Sequence, residues 1–323
     1  MTTRRNLLTG AALLAAAPVL APAEGRAAPA DAASHKDVTQ APAMYRKKVG
    51  DITVTALSDG FIPLGPEAFG DYEQLVADTA AASPHPNPMR GHVNVYVVQT
   101  GGKTVLIDAG GPAAFVPSLG QMASNMTAAG FSPDQIDLIV LTHLHIDHVG
   151  GLTDDTGKAF FPNAELAVHE DELSFWTAEE LLANADDGFR PLIEAAQGAV
   201  AAYKDRLKPF TGEAELAPGL TAHPAPGHTP GHTAFRISSG DQQLLVWGDI
   251  VHAPVVQFAH PEVTIGFDID ADMARKTRLG LLDMIATDSL LIGGMHLHFP
   301  AFGYVQRDGD AYKYAPALWS HDM

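Results

Sequence analysis

The chain reads as an α/β protein in which two β-sheets pack face to face with helices outside. Three observations point there. Asp137 to Leu141 (DLIVL) is a short apolar run rich in branched residues, the pattern of a buried parallel strand. An order of hairpin, helix and strand occurs twice, first from His92 to Leu141 and again from Thr233 to Ile292. Ligand-type side chains then gather where strands give way to turns, the place at which open α/β sheets collect ligands.

Thr3-Arg4-Arg5-Asn6-Leu7-Leu8 is a twin-arginine pattern, and the Ala-rich apolar run that follows to about Ala23 is short for a membrane span. With small residues for cleavage at Ala28-Pro29-Ala30, residues 1–30 are expected to be a signal peptide for export to a bacterial periplasm by the route that carries folded proteins. The competing reading is an uncleaved anchor, and no other stretch could span a bilayer. Residues 31–48, with their Ala/Pro-rich start, are expected to be a flexible lead-in, and residues 49–323 one domain.

Asp51 to Ser58 (DITVTALS) is expected to be a strand. Phe61 to Asn87 reads as a long loop with a helical stretch near Tyr72 to Ala82, a lid or an oligomer contact. His92 to Gln99 and Lys103 to Ala109 are strands joined at Thr100-Gly101-Gly102, and Ala113 to Ala129 is an amphipathic helix. After the DLIVL strand, Glu165 to His169 is a short strand, with helices at Glu170 to Ala183 and Arg190 to Lys204. Thr233 to Ser238 and Gln243 to Val246 form a second hairpin, a helix runs from Ala271 to Ala286, and Ser289 to Ile292 is the last strand foreseen.

Composition excludes several classes of function. A formal net charge of -18, with no basic cluster beyond Arg46, Lys47 and Lys48, makes a phosphate backbone an improbable partner. The chain holds no cysteine, so any metal must be held by His and carboxylate. Leu141 to Gly151 (LTHLHIDHVGG) offers such groups: His143, His145, Asp147 and His148. Asp147 and His148 are adjacent and cannot easily serve the same ion as His143 and His145, so two metals are the natural inference. In the second half, His228, Asp249 and His296 also stand at strand ends or in Gly/Pro turns.

In order along the chain, T-H-L-H-I-D-H-V-G-G at Thr142 to Gly151, P-G-H-T-P-G-H at Pro226 to His232, W-G-D at Trp247 to Asp249 and M-H at Met295 to His296 resemble the ligand motifs of the metallo-β-lactamase superfamily. Weaker phrases, A-L-S-D-G at Ala56 to Gly60, F-P-N-A at Phe161 to Ala164 and V-Q-F at Val256 to Phe258, are similar to the methyl parathion hydrolase and lactonase-like group. The resemblance implies a four-layer αββα sandwich of two similar halves, with the metal site between the sheet edges. It implies one ion on His143, His145 and His228, a second on Asp147, His148 and His296, and Asp249 bridging them. Zinc is the expected ion, with manganese, iron or cobalt open to the same ligands. His145 stands where the iron redox branch of the superfamily usually has Glu, which favours a hydrolytic site.

The activity implied is periplasmic hydrolysis of lactones or aryl esters by a metal-bridging hydroxide, which Asp147 orients as a catalytic residue, with possible activity on organophosphate triesters. The resemblance also puts Phe115, Trp176, Phe189, Ile265 and Phe267 in the cleft over the metals. His252, three residues beyond Asp249, is a further candidate to face the substrate, and His232 one to orient a ligand. An apolar cleft suits a small uncharged ester, lactone or phosphotriester. Glyoxalase II or persulfide dioxygenase-like enzymes share the motifs but take glutathione conjugates, and no C-terminal basic patch is evident to hold them. A β-lactamase is a further alternative, although Asp249 stands where those enzymes commonly have another residue type. A non-enzymatic metal-binding protein is the reading least favoured. No membrane partner is expected for the mature form, and a homodimer that exchanges Phe61 to Pro88 is the assembly considered.

Overall fold

Strand β3 (Met89–Thr100) shows why the protein is layered: its side chains alternate between two different cores, and from Val93 to Val98 neither face meets water. Val95 and Val97 enter a cluster on one face, while Tyr96 and Val98 enter another on the opposite face. The computed structural model describes residues 40–321 apart from Pro86, so the twin-arginine segment expected at residues 1–30 lies outside the described residues. All strands and helices named below belong to the unit Pro42–Met323.

The first sheet has the order β1 (Met44–Val49), β2 (Ile52–Leu64), β3, β4 (Lys103–Ile107), β5 (Leu138–Val140), β6 (Glu165–His169) and β7 (Leu207–Phe210). β1 to β4 pair antiparallel, and β4 to β7 parallel. The second sheet consists of β8 (Glu215–Ala217), β9 (Leu220–Pro224), β10 (Thr233–Ser239), β11 (Gln242–Val246), β12 (Leu291–Gly293), β13 (Phe302–Asp308) and β14 (Ala311–Pro316), again adjacent in chain order. Within it only β11 and β12 pair parallel. The helices are α1 (Glu73–Ala81), α2 (Met122–Ala128), α3 (Ile146–Val149), α4 (Glu170–Trp176), α5 (Glu179–Ala183), α6 (Arg190–Ala202), α7 (Pro254–Gln257) and α8 (Ala271–Asp288).

Both halves use the expected device, a hairpin followed by a helical crossover to a parallel strand: β3, β4, α2, β5 in one and β10, β11, α8, β12 in the other. Three cores separate the four layers. Val98, Val105 and Ile107 meet Phe235, Leu244 and Val246 between the sheets. Met126, Ile193 and Trp176 cover the outer face of the first sheet, and Leu281, Leu282 and Ile285 of α8 cover that of the second. The αββα sandwich is the observed fold.

Several boundaries differ from expectation. The lead-in ends earlier than residue 48, because Met44–Val49 pairs with β2 as an edge strand. The loop expected from Phe61 begins after Leu64, where β2 ends. The rest of that segment, α1 included, packs through Phe69, Val76 and Ala80 on Val256, Val263 and Ile265. The helix expected over Ala113 to Ala129 shortens to α2, because the preceding residues wrap around Asp59. A register shift in β2 between Ser58 and Gly60 flanks this aspartate, and its carboxylate accepts from the backbone N–H of Gly111, Gly120 and Met122 at 2.9, 3.2 and 2.7 Å. The helix expected over Glu170 to Ala183 breaks at Thr177 and Ala178, and β7, β8, β13 and β14 were not foreseen. Among the described residues, no helix is long and apolar enough to cross a membrane.

Candidate metal centre

All seven expected ligands converge at one end of the sandwich, where β5, β11 and β12 run out. His143 and His145 follow β5, and Asp147 and His148 lie on the single turn of α3 that His145 opens. His228 sits in the turn between β9 and β10, Asp249 follows β11, and His296 follows β12. Gly248 makes the turn that delivers Asp249. Its φ of +64° is left-handed, and a Cβ there would stand 2.4 Å from His232 Nε2.

Two donor sets result: His143, His145 and His228 with Asp249, and Asp147, His148 and His296. In the first, His145 Nδ1 lies 3.0 Å from His143 Nε2 and 2.9 Å from His228 Nε2. In the second, His148 Nε2 is 3.3 Å from Asp147 Oδ2, and His296 Nε2 is 3.6 Å from the same oxygen. Asp249 joins the sets, its Oδ2 3.3 Å from His228 Nε2 and 3.0 Å from His296 Nε2, its Oδ1 3.2 Å from His148 Nε2.

Four of the imidazoles have an outward nitrogen held by the protein, which fixes the tautomer. His148 Nδ1 donates to Asp108 Oδ2 at 2.7 Å, His228 Nδ1 to Asp268 Oδ1 at 2.8 Å, and His296 Nδ1 to the His92 carbonyl at 2.6 Å. The Thr142 hydroxyl donates to Asp108 Oδ2, which leaves its oxygen free to accept from His143 Nδ1 at 3.0 Å. Each of these rings therefore turns an Nε2 lone pair inward. One N–H on His145 Nδ1 could serve only one of the two lone pairs about 3 Å from it, whereas a cation serves all three nitrogens, and nitrogens about 2.0–2.1 Å from a tetrahedral ion stand about 3.3 Å from one another. His148 Nε2 and Asp249 Oδ1 are buried with no hydrogen-bond partner, so the donors fit a pair of divalent ions.

The electrostatics divide the ligand imidazoles: against burial, the carboxylates of Asp249 and Asp268 raise His228 to about 9, and carboxylates led by Asp249 likewise raise His148 and His296. Burial, then the neighbouring His148, holds His143 well below the usual histidine range, and burial, then His228, does the same to His145. Neutral imidazole is the ligand form. Asp249 is held well below the carboxylate range: burial pulls it upward, and His148, His296 and His143 outweigh that.

Three residues brace the ligand turns. His232 donates from Nδ1 to the Ala225 carbonyl and accepts the Asp249 N–H at Nε2, both at 2.9 Å, which is the orienting role expected of it. Glu172, fully buried, accepts from Trp176 Nε1 at 3.1 Å and from the Thr229 hydroxyl beside His228. Arg278 donates to the carbonyls of Ile250, Pro261 and Val263, at 2.7, 3.2 and 2.5 Å, and approaches Asp268. Glu172 and Arg278 escaped sequence reasoning because a lone charge on a helix carries no local sign of burial.

Over the donors opens an apolar cavity of about 160 Å³ with Asp147, His228, Asp249 and His296 in its lining. Phe115, Phe189, Phe267 and His252 border it as expected. Trp176 and Ile265 do not. Trp176 is 0% exposed and packs edge-on against His145 from the core side, at 5.3 Å between ring centroids, while Ile265 is 3% exposed beneath the segment that carries α1. Ile62, Leu64, Ile146, Leu192 and Ile269 were missed, since aliphatic residues on a wall look like core in a sequence.

Comparison with known proteins bears on this geometry. A hydrolase AbOPH, described as in the beta lactamase superfamily, is 33% identical with a TM-score of 0.81, over 87% of this chain and 100% of that one. AidC, a dizinc quorum-quenching lactonase solved with the product N-hexanoyl-L-homoserine, is 26% identical with a TM-score of 0.77, over 87% of this chain and 99% of its own. N-acyl homoserine lactonase AiiB of Agrobacterium fabrum (strain C58) is 30% identical over 148 residues, 40% of this chain and 51% of that protein. The chain thus spans about half the length of the curated relatives it matches. The sequence model of the metallo-beta-lactamase superfamily matches residues 88–296, a range holding every one of the seven donors, and on fold, donor sets and this match together the chain belongs to that superfamily.

Proposed function

We propose that the protein is a dinuclear metal-dependent hydrolase of lactones and uncharged aryl or acyl esters, with phosphotriesters as a second substrate class. One observation carries this reading: the paired donors form part of the wall of an apolar cavity, so an uncharged substrate entering it is desolvated directly against them. Two divalent ions held there supply a water acidified to the neutral range and a Lewis acid for a carbonyl or phosphoryl oxygen. Binding and orientation fall to the chain itself. Phe115, Phe189 and Phe267 take up the apolar part of the substrate and exclude water. Asp147, buried beside the cavity, is the acceptor that orients the proton of the attacking water. Among the described residues no Lys or Arg lines the cavity, so an anionic substrate gains no permanent side-chain cation there.

Zinc is the ion we assign, because imidazoles and carboxylates suit it and AidC is described as dizinc. We further propose that residues 1–30 export the folded protein to the periplasm, and that it works as a homodimer. Light scattering checks the assembly.

The substrate reading is tested by turnover of metal-loaded protein on an aromatic lactone, an acyl-homoserine lactone, a phosphotriester, a glutathione thioester and a β-lactam. Preference for the first three supports it. Preference for the thioester or the β-lactam overturns it.

A further inference from the structure

His252 follows Asp249 by three residues and is only 3% exposed, yet its Nδ1 has no hydrogen-bond partner and its Nε2 meets no polar group of the protein but the Asp249 carboxylate that the ligand sets share. Every other imidazole around the centre with a described outward contact spends that nitrogen on the protein: His143 on Thr142, His148 on Asp108, His228 on Asp268, His296 on the His92 carbonyl and His232 on the Ala225 carbonyl. A buried histidine kept for packing is normally satisfied, because an unpartnered buried polar atom is costly. The ring is also held in place. Gln257, fully buried, accepts the backbone N–H of His252 at 2.7 Å and of Ala253 at 3.1 Å, and donates to the Val263 carbonyl at 2.9 Å. The imidazole stacks on His296 at 5.1 Å with 20° between the planes, which brings its Nε2 to 3.2 Å from Asp249 Oδ2.

We propose that His252 is a further metal ligand, its Nε2 joining Asp249 and His296 in a donor set on the cavity side of the second ion. This rests on the reading that Asp147, His148 and His296 hold that ion. Asp249, His252 and His296 are all buried and offer ligand atoms that lie within 4.8 Å of one another, the spacing that marks the two sets already described. Five protein donors then surround the second ion where a closed tetrahedral site needs four, while the first ion keeps three nitrogens and the shared carboxylate. The two positions become unequal, and the second, while open to five-coordinate zinc, accepts ions of higher coordination number such as manganese or cobalt more readily than the first.

The test compares wild type with His252→Gln and His252→Phe, each refolded and loaded with cobalt(II), with melting temperature at saturating metal as the check on folding. Chelator competition gives the two dissociation constants, and proton NMR of the cobalt form counts the exchangeable imidazole signals displaced by the paramagnetic ion. Loss of an orienting partner of a ligand already weakens metal affinity about 10- to 100-fold. Both variants are therefore expected to weaken the second ion by about 100-fold, leave the first within about threefold, and lose one displaced imidazole signal. Unchanged affinity for both ions and an equal signal count in the variants overturn the proposal, including the case in which only KM or kcat changes. Wild type that binds one ion per chain, or none, instead overturns the dinuclear reading beneath it.

Discussion

Replacing Asp249 with alanine removes the group on which both halves of the centre depend. Its carboxylate oxygens lie 3.6 Å from His143 Nε2, 3.2 Å from His148, 3.3 Å from His228, 3.2 Å from His252 and 3.0 Å from His296. Residues that only orient a ligand change metal affinity about 10- to 100-fold, so loss of a shared direct donor takes at least the upper figure from each ion. The product of the two dissociation constants rises about 10⁴-fold, or about 5 to 6 kcal/mol of binding free energy. The surrounding turn is retained, because the contact of residue 249 with His232 Nε2 runs through its backbone N–H. Elemental analysis after gel filtration, followed by chelator competition, is the assay. Asp249→Asn keeps the volume and one oxygen and should lose less. Asp249→Ala with two ions per chain, wild-type affinity and full turnover would refute the bridging role and the magnitude derived from it.

Asp268→Asn should weaken the first ion about 10- to 100-fold and spare the second, because its carboxylate accepts from His228, whereas Asp108→Asn should weaken the second through His148 and, to a smaller extent, the first through Thr142 and His143; equal weakening of both ions by Asp268→Asn would count against the assignment of ligands. Burial pushes Glu172 from 4.5 up to about 7 against the pull of Thr229, His228 and Trp176. Its native pKa thus exceeds its unfolded one, the native state binds the extra proton between pH 4.5 and about 7, and the stability tied to this group falls as pH rises through that window. The stability of wild type relative to Glu172→Gln should therefore drop by about 3 kcal/mol across the window in urea titrations, and a constant difference would exclude the effect. Phe115 and Phe267 are 43% and 48% exposed, so Phe115→Ala and Phe267→Ala should cost less than about 1 kcal/mol of stability while raising KM several-fold for apolar substrates at little change in kcat. A proportional fall in kcat with KM constant would remove both rings from the binding wall.

The chemistry was legible in the sequence because each ligand sits in a short segment whose conformation is locally determined. His143, His145, Asp147 and His148 follow a strand readable from three branched residues, and Gly227 and Gly248 mark the turns before His228 and Asp249. The order of hairpin, helix and strand that occurs twice likewise announced two sheets face to face and hence the sandwich. Edge strands escaped notice, since Met44–Val49 and Ala311–Pro316 carry mixed exposure and become strands only by pairing with a neighbour already in place. Tertiary structure alone decided which apolar side chains border the cavity. Trp176 and Phe189 pack against each other at 5.7 Å, yet one closes the core and the other opens on the donors. The same holds for Glu172, Arg278 and His252, whose roles follow from burial among distant segments. A chain displays its turns and periodicities to its immediate neighbours, but the dielectric and the partners that give a side chain its chemistry are set by residues far along the sequence, as His92 is for His296.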